Sequence, residues 1–297
     1  MADIKDYLNE NGIPYDDNKY AKDFTTFKIG GRCFAVYPGD ADGLVGTVRF
    51  CRENGVRYTV IGCGSNVLFS DNGFDGVVII TTGIKSVKRE GNVIKADCGA
   101  ALHTVCKAAY NGSLTGLEFA YGIPGSIGGA VFMNAGAYGG EMKDVISKVT
   151  AYSVRDGKTI EFDNASCGFG YRNSVFTSGD HIVLSAEISL EKGDKDEIKA
   201  KMDDLLGRRK SKQPLNYPSA GSAFKRYPGR YTGQMIEEAG LKGYTVGGAQ
   251  VSEKHAGFII NKGGATADDV MKLIGYIKEV IRKREGVEIE PEIRVIY

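Results

Sequence analysis

Two glycine-dense stretches hold the residues best suited to chemistry: "VIGCGSNVLFS" at Val60–Ser70 and "GIPGSIGGAVFMNAGAYGG" at Gly122–Gly140. Ordered glycine costs conformational entropy, so such density implies backbone that must come close to something. Successive backbone N–H groups form anion-binding nests, and a helix N-terminus adds its dipole. Ser65, Asn66, Ser126 and Asn134 can add side-chain hydrogen bonds, and neither stretch carries a charge. A dinucleotide fingerprint G-x-G-x-x-G fails, because Val67 stands at the third glycine position and "LFSDNG" is no helix. A phosphate loop fails as well: "GKT" at Gly157–Thr159 has Tyr152 where the first glycine belongs, and "VRDGKT" reads as a hairpin turn. What remains is a diphosphate cradled by backbone and small polar groups, for which a dinucleotide such as FAD is suitable. Tight turns and close backbone packing would use the same glycines, and at this level both readings stay open.

Elements must position these stretches. A helix is expected over Asp42–Asn54, followed by strands at Val56–Ile61, Gly76–Ile80 and Asn92–Asp97. Leu102–Tyr110 reads as a helix closed by Asn111-Gly112, and strands follow at Ser147–Val154, Thr159–Phe162 and His181–Leu190. No regular strand–helix alternation is present, which favours α+β over a doubly wound sheet. The charged segment "EKGDKDEIKAKMDDLLGRRKSKQP" has apolar residues at helical spacing (Ile198, Met202, Leu205, Leu206) and ends at Pro214. It reads as the bridge to a C-terminal domain. There Thr266 and Asp269 suggest a capping box for a helix with the stripe Val270, Leu273, Ile274, Ile277 and Ile281. In "VEIEPEIRVIY" alternation puts Glu288, Glu290, Glu292 and Arg294 on one face, ordinarily the wet side of a strand.

Composition narrows the function class. At 297 residues with 42% hydrophobic and 25% charged side chains, the chain can bury two or three domain cores. Its net charge of +1 argues against a nucleic-acid partner, and the basic run Arg208–Lys212 reads as a solvated helix end. No apolar run approaches the roughly 18 residues of a membrane span, and the polar, acidic start is unlike a secretory signal. Six scattered cysteines without a C-x-x-C pair suit a reducing cytoplasm and give no metal set.

Seven segments, in order, resemble the UDP-N-acetylenolpyruvoylglucosamine reductases: "TTFKIGG", "GCGSNVLF", "GIPGSIGGAVFMNAGAYG", "YRNSVF", "AGSAFKR", "GLKGYTVGGAQVSEKHAGFIIN" and "EPEIRVI", from Thr25 to Ile296. The resemblance implies a vanillyl-alcohol-oxidase-type FAD-binding fold: two α+β subdomains (1–81 and 82–192) and a C-terminal α+β substrate domain (193–297). It implies a cytoplasmic, monomeric enzyme of peptidoglycan synthesis that reduces UDP-N-acetylglucosamine enolpyruvate to UDP-N-acetylmuramate. NADPH reduces non-covalent FAD and leaves, and the sugar nucleotide then takes its place. The short interval between Arg172 and Ser222 resembles the family type without the tyrosine-loop insertion.

The implied roles follow the matching motifs. Arg172 holds the substrate carboxylate and stabilises the enolate. Ser222 protonates the enolate once flavin N5 has given up its hydride. Glu292 hydrogen-bonds the enolate if protonated, or orients Arg172 if ionised. FAD contacts are expected from Ile61, Gly62, Cys63, Gly64, Ser65, Asn66 and Val67, and from Pro124, Gly125, Ser126, Gly128, Gly129, Ala130, Asn134, Gly136, Ala137 and Tyr138. Substrate contacts are expected from Arg226, Lys242 and His255, and no metal is expected. The alternatives are another flavin oxidoreductase of the same fold, or a non-catalytic nucleotide-binding protein.

Overall fold

The computed structural model describes residues 2–297, which form two compact units. The first comprises the chain up to Asp17, Phe34–Cys63 and Gly76–Arg208; the second comprises Asn18–Cys33, Gly64–Asp75 and Arg209–Tyr297.

In the first unit Val77–Ile80 is a central strand, parallel to the run from Phe34 and to Tyr58–Ile61. All four residues of Val77–Ile80 are buried, as expected for a strand covered on both faces. The helix Ala41–Glu53 starts at Asp40, whose carboxylate accepts from the Gly43 amide at 2.8 Å. An antiparallel sheet follows, its strands Val87–Glu90, Val93–Asp97, His181–Ser189, Ile146–Ser153 and Lys158–Asp163 being neighbours in that order. Ile94, Ala96, Val149, Ala151, Ala186 and Ile188 from this sheet are buried with Leu102, Val105 and Cys106 of the helix Leu102–Asn111. The segment at "VRDGKT" is a turn as expected, with Ser153 Oγ bonded to Asp156 Oδ2 at 2.8 Å.

Glu118 is a buried carboxylate in this unit, 3% exposed. It accepts from Thr115 Oγ1 at 2.7 Å and from the Gly116 amide, and it pairs with Lys201 at 3.2 Å. Burial pushes its pKa up, but the Thr115 hydroxyl, the backbone donors and the Lys201 ammonium outweigh this and hold it below the ordinary glutamate value. Glu118→Gln is expected to cost about 1–2 kcal/mol at pH 7, read as a lower urea midpoint. A depressed folded-state pKa stabilises above the ordinary value of about 4.3 and is lost as pH falls through the folded one. The difference between the two proteins should therefore narrow below pH ~4.

The second unit carries a four-stranded sheet in the order Ser219–Ser222, Phe258–Asn261, Ala249–Val251, Thr245–Val246. The helix Ala267–Glu285 buries Val270, Leu273, Ile274, Ile277 and Ile281 in this unit's core. Both bonds of the Thr266–Asp269 capping box form, and Gly286 closes the helix in a left-handed conformation. Asp71 adds a second cap, accepting from the Ala267 amide at 2.7 Å and the Asp268 amide at 3.0 Å.

Two segments from early in the sequence belong to this unit. Phe27, Ile29 and Leu68 are buried in its core, and Thr26 Oγ1 bonds the Ser219 carbonyl at 2.7 Å. Val67–Phe69 pairs in parallel with Arg294–Ile296. The terminal segment is shorter as a strand than its alternation suggests. Pro291 has no amide hydrogen to donate, and it makes only an isolated bridge to Phe224. The alternation survives in burial at Ile289 and Ile293, whereas Tyr297 is exposed.

Candidate active site

In the first unit the strand end at Ile61–Cys63 meets the turn at Pro124–Ala130. A Cβ on Gly62 would lie 1.9 Å from Ser126 Oγ, so glycine leaves room for the Ser126 side chain against this backbone. Ser126 is buried and caps the helix Ile127–Phe132, with its hydroxyl 3.5 Å from the Gly129 amide. The Ile127 and Gly128 amides are taken by the carbonyls of Ala100 (2.9 Å) and Cys98 (2.7 Å). The edge left for a ligand is therefore narrower than the glycine count implies. It consists of Gly62, Cys63 and Gly125, partly buried, with Pro124 and Gly129 exposed. Backbone, a serine and no lysine in these stretches are a donor set that fits a diphosphate held by neutral hydrogen bonds. Cys63 is a half-buried thiol whose pKa burial raises, the behaviour of a small apolar side chain.

The later glycines serve the protein itself. Gly136–Ala137 and Gly140–Glu141 form a hairpin whose tip, Tyr138 and Gly139, has φ of 54° and 90°. At Gly140 a Cβ would meet the Phe119 ring at 2.6 Å. Asn134 is buried, and its amide is fully engaged. Nδ2 donates to Glu141 Oε2 (2.7 Å) and the Gly170 carbonyl (3.0 Å), while Oδ1 accepts from the Lys143 amide at 2.9 Å. Its side chain thus fastens the hairpin to the turn at Gly170–Asn173 rather than facing outward. That turn carries Arg172, whose φ is 54° and whose Nη2 donates to the Gly136 carbonyl at 3.3 Å. The Arg172 guanidinium also lies 5.2 Å from the Tyr171 ring centre.

In the second unit Ser222 ends a strand that slips register between Ser219 and Ser222, with Gly221 at φ 77°. Such a bulge re-aims the side chain that follows it. The Ala223 amide then bonds the Gly257 carbonyl (2.8 Å), and the Ala223 carbonyl accepts from the Glu292 amide (2.9 Å). The Lys225 amide in turn donates to the Glu290 carbonyl at 2.8 Å. The segments bearing Ser222 and Glu292 are thereby brought together. Of the three late glutamates, Glu288 and Glu290 are exposed and pair with Arg282 (3.8 Å) and Lys225 (3.0 Å). Glu292 is half-buried.

The expected substrate contacts lie at the surface of the same unit. Lys242 Nζ pairs with Glu237 at 2.5 Å, and the Arg226 guanidinium lies 4.5 Å from the Tyr231 ring centre. His255 Nδ1 accepts from the Gly257 amide at 3.1 Å, which leaves Nε2 to carry the hydrogen. Burial lowers the His255 pKa, and the nearby positive charges of Lys242 and Lys212 lower it further. The net shift favours the neutral imidazole, although a backbone hydrogen bond and the Glu237 carboxylate oppose it. One contact between two of the expected site residues has no local sequence signal: Asn66 Nδ2 donates to the Glu292 carbonyl at 3.2 Å, across most of the chain's length.

Among the described residues no group of His, Cys, Asp and Glu side chains could hold a metal, and no helix is long and apolar enough to cross a membrane. A profile for an FAD binding domain matches residues 34–163, and one for the UDP-N-acetylenolpyruvoylglucosamine reductase C-terminal domain matches residues 213–296. UDP-N-acetylenolpyruvoylglucosamine reductase of Caldanaerobacter subterraneus subsp. tengcongensis is 49% identical over 294 residues, covering 99% of this chain and 96% of the relative. The Clostridium novyi protein of that name is 46% identical over 281 residues, covering 94% and 91%. The crystal structure of the Thermus caldophilus reductase superposes with a TM-score of 0.83 at 34% identity, covering 96% of this chain and all of that one. A Physcomitrella patens BBE-like protein shares the fold at 17% identity and TM-score 0.51, covering 64% of this chain and 44% of its own. The α+β architecture, the glycine-lined edge and identity along nearly the whole length agree: this chain belongs to the UDP-N-acetylenolpyruvoylglucosamine reductases, as an FAD-dependent oxidoreductase of the vanillyl-alcohol-oxidase-type fold.

Proposed function

We propose that the protein reduces UDP-N-acetylglucosamine enolpyruvate to UDP-N-acetylmuramate for peptidoglycan synthesis, with NADPH as reductant, as a cytoplasmic monomer. Residues 1–81 and 82–192 act as the two flavin-binding subdomains and 193–297 as the substrate domain. FAD, when bound, would supply the redox chemistry, hydride transfer between NADPH and the enolpyruvyl double bond. The edge formed by Gly62, Cys63, Pro124, Gly125 and Gly129, backed by Ser126, would hold its diphosphate, and Gly136–Tyr138 would flank the cofactor. Asn134 acts as a positioning residue for that hairpin and for the Arg172 turn.

Arg172 grips the substrate carboxylate and offsets enolate charge, a task suited to a guanidinium that keeps its proton. Ser222 delivers the proton that completes the lactyl ether, and Glu292 steadies the enolate. Lys242, Arg226 and His255 meet the UDP-sugar. Lys242 can exchange its exposed Glu237 pairing for a diphosphate oxygen at little cost. The observation that carries the reading is the backbone bonding of the Ser222 and Glu292 segments, through Ala223 and Lys225, which brings a hydroxyl and a half-buried carboxylate onto neighbouring stretches of chain.

The test is optical. The purified protein should be yellow, bleach with NADPH, and regain colour under anaerobic conditions on addition of the enolpyruvyl UDP-sugar. Denaturation should release the flavin. Colour that returns only with O₂, or flavin that stays with the denatured chain, would point instead to a flavin oxidase on this fold.

A further inference from the structure

We infer that Asn66 is a positioning residue for Glu292: its side-chain amide sets the direction of the carboxylate instead of serving chiefly as a cofactor ligand. The inference rests on the role proposed above for Glu292. Both residues lie in the second unit. Asn66 Nδ2 donates to the Glu292 carbonyl at 3.2 Å, and the Asn66 carbonyl accepts from the Arg294 amide at 3.0 Å. These two bonds grip the Glu292–Arg294 backbone from one side. From the other side the Glu292 amide donates to Ala223 at 2.9 Å. Both backbone groups of Glu292 are thus engaged, its amide by Ala223, the residue after Ser222, and its carbonyl by Asn66. With both peptide planes fixed, the Cα–Cβ bond is aimed, and the side chain of a half-buried residue inherits that aim.

The link has a chemical consequence. Asn66 sits in the "GCGSN" segment, where a small polar residue beside glycines reads as a phosphate contact. An asparagine amide offers two N–H donors, so a bond to the main chain leaves at most one for a phosphate. The bond present in the structure goes to the carbonyl. Misplacing a reacting group by about 1 Å can cost on the order of 10²-fold in rate. Losing this bond should therefore appear in the substrate half-reaction, where Glu292 acts, and not in flavin reduction by NADPH.

The experiment uses Asn66→Asp, which keeps the shape of the side chain but replaces the donor with an oxygen that repels the Glu292 carbonyl. With the holoenzyme at saturating FAD, stopped-flow absorbance would follow bleaching by NADPH and reoxidation by the enolpyruvyl UDP-sugar separately. We expect reoxidation to slow about 10- to 100-fold and reduction to change less than about threefold. The double variant Asn66→Asp/Glu292→Gln should be no slower than Glu292→Gln alone, because both changes remove the same function. Weakened FAD binding with wild-type reoxidation at saturating FAD would overturn the inference, and so would fully additive losses in the double variant. Failure of the underlying reading has its own mark: Glu292→Gln alone would reoxidise at the wild-type rate, and the inference would fall with it. Should Asn66→Asp not hold flavin, Asn66→Ala removes the donor without adding charge and supports the same comparison.

Discussion

The Ser222→Ala enzyme is expected to bleach with NADPH at the wild-type rate and then to reoxidise with the enolpyruvyl UDP-sugar on the order of 10³- to 10⁴-fold more slowly. The asymmetry follows from what each half-reaction needs. Flavin reduction needs no proton from Ser222, whereas the enolate formed from the sugar nucleotide must be protonated at carbon. Alanine removes only a hydroxyl from a half-buried site, and Ala223 beside it remains hydrogen-bonded to Gly257 and Glu292. Folding stability should stay within about 0.5 kcal/mol of wild type, so lost turnover cannot be attributed to lost fold. A serine hydroxyl is a weak acid, and the Gly221 bulge before it supplies aim and not acidity. Positive charge or hydrogen bonds from bound ligands must therefore stabilise the alkoxide. Single-turnover stopped-flow measurement under anaerobic conditions checks the prediction, and unchanged reoxidation rejects Ser222 as the proton donor.

Features carried by local periodicity were readable in the sequence. The Ala267–Glu285 helix, its Thr266–Asp269 box and its Gly286 stop depend on neighbours within a turn or two, and so does the hairpin turn at Asp156-Gly157. Glycine density marks places of close approach but does not say what approaches. Gly62 admits Ser126, and Gly140 admits a phenylalanine ring; residue type alone cannot tell a ligand from a side chain. Asn134 shows the same limit. Its type suggested an outward hydrogen bond, yet a buried amide must satisfy its donors and acceptor within the protein, and Glu141, Gly170 and Lys143 do so. Contacts that close long loops were not readable at all. The parallel pairing of Val67–Phe69 with Arg294–Ile296 draws an N-terminal segment into the second unit, and no local pattern encodes it. The Asn66–Glu292 bond depends on that pairing.

Arg172 offers a way to separate function from stability in one side chain. A non-glycine residue in the left-handed region costs roughly 1–2 kcal/mol, and Arg172 stays there at φ 54° because the Gly170–Asn173 turn and the Asn134 amide hold the loop. Arg172→Gly should relieve that strain and offset much of the relief by giving the unfolded chain more freedom. The melting temperature is therefore expected to stay at or slightly above wild type, despite the loss of the Nη2 bond to Gly136. Catalysis should move the other way. With no guanidinium to hold the substrate carboxylate and offset enolate charge, reoxidation by the enolpyruvyl UDP-sugar is expected to fall about 10²- to 10³-fold, the scale measured for removing one oxyanion donor. Arg172→Lys keeps a positive charge but loses the planar fork, and it should recover only part of that loss. The substrate KM should rise in both variants. A glycine variant that melted well below wild type would make Arg172 a structural residue whose strain the fold needs. One that kept wild-type reoxidation would remove it from the mechanism.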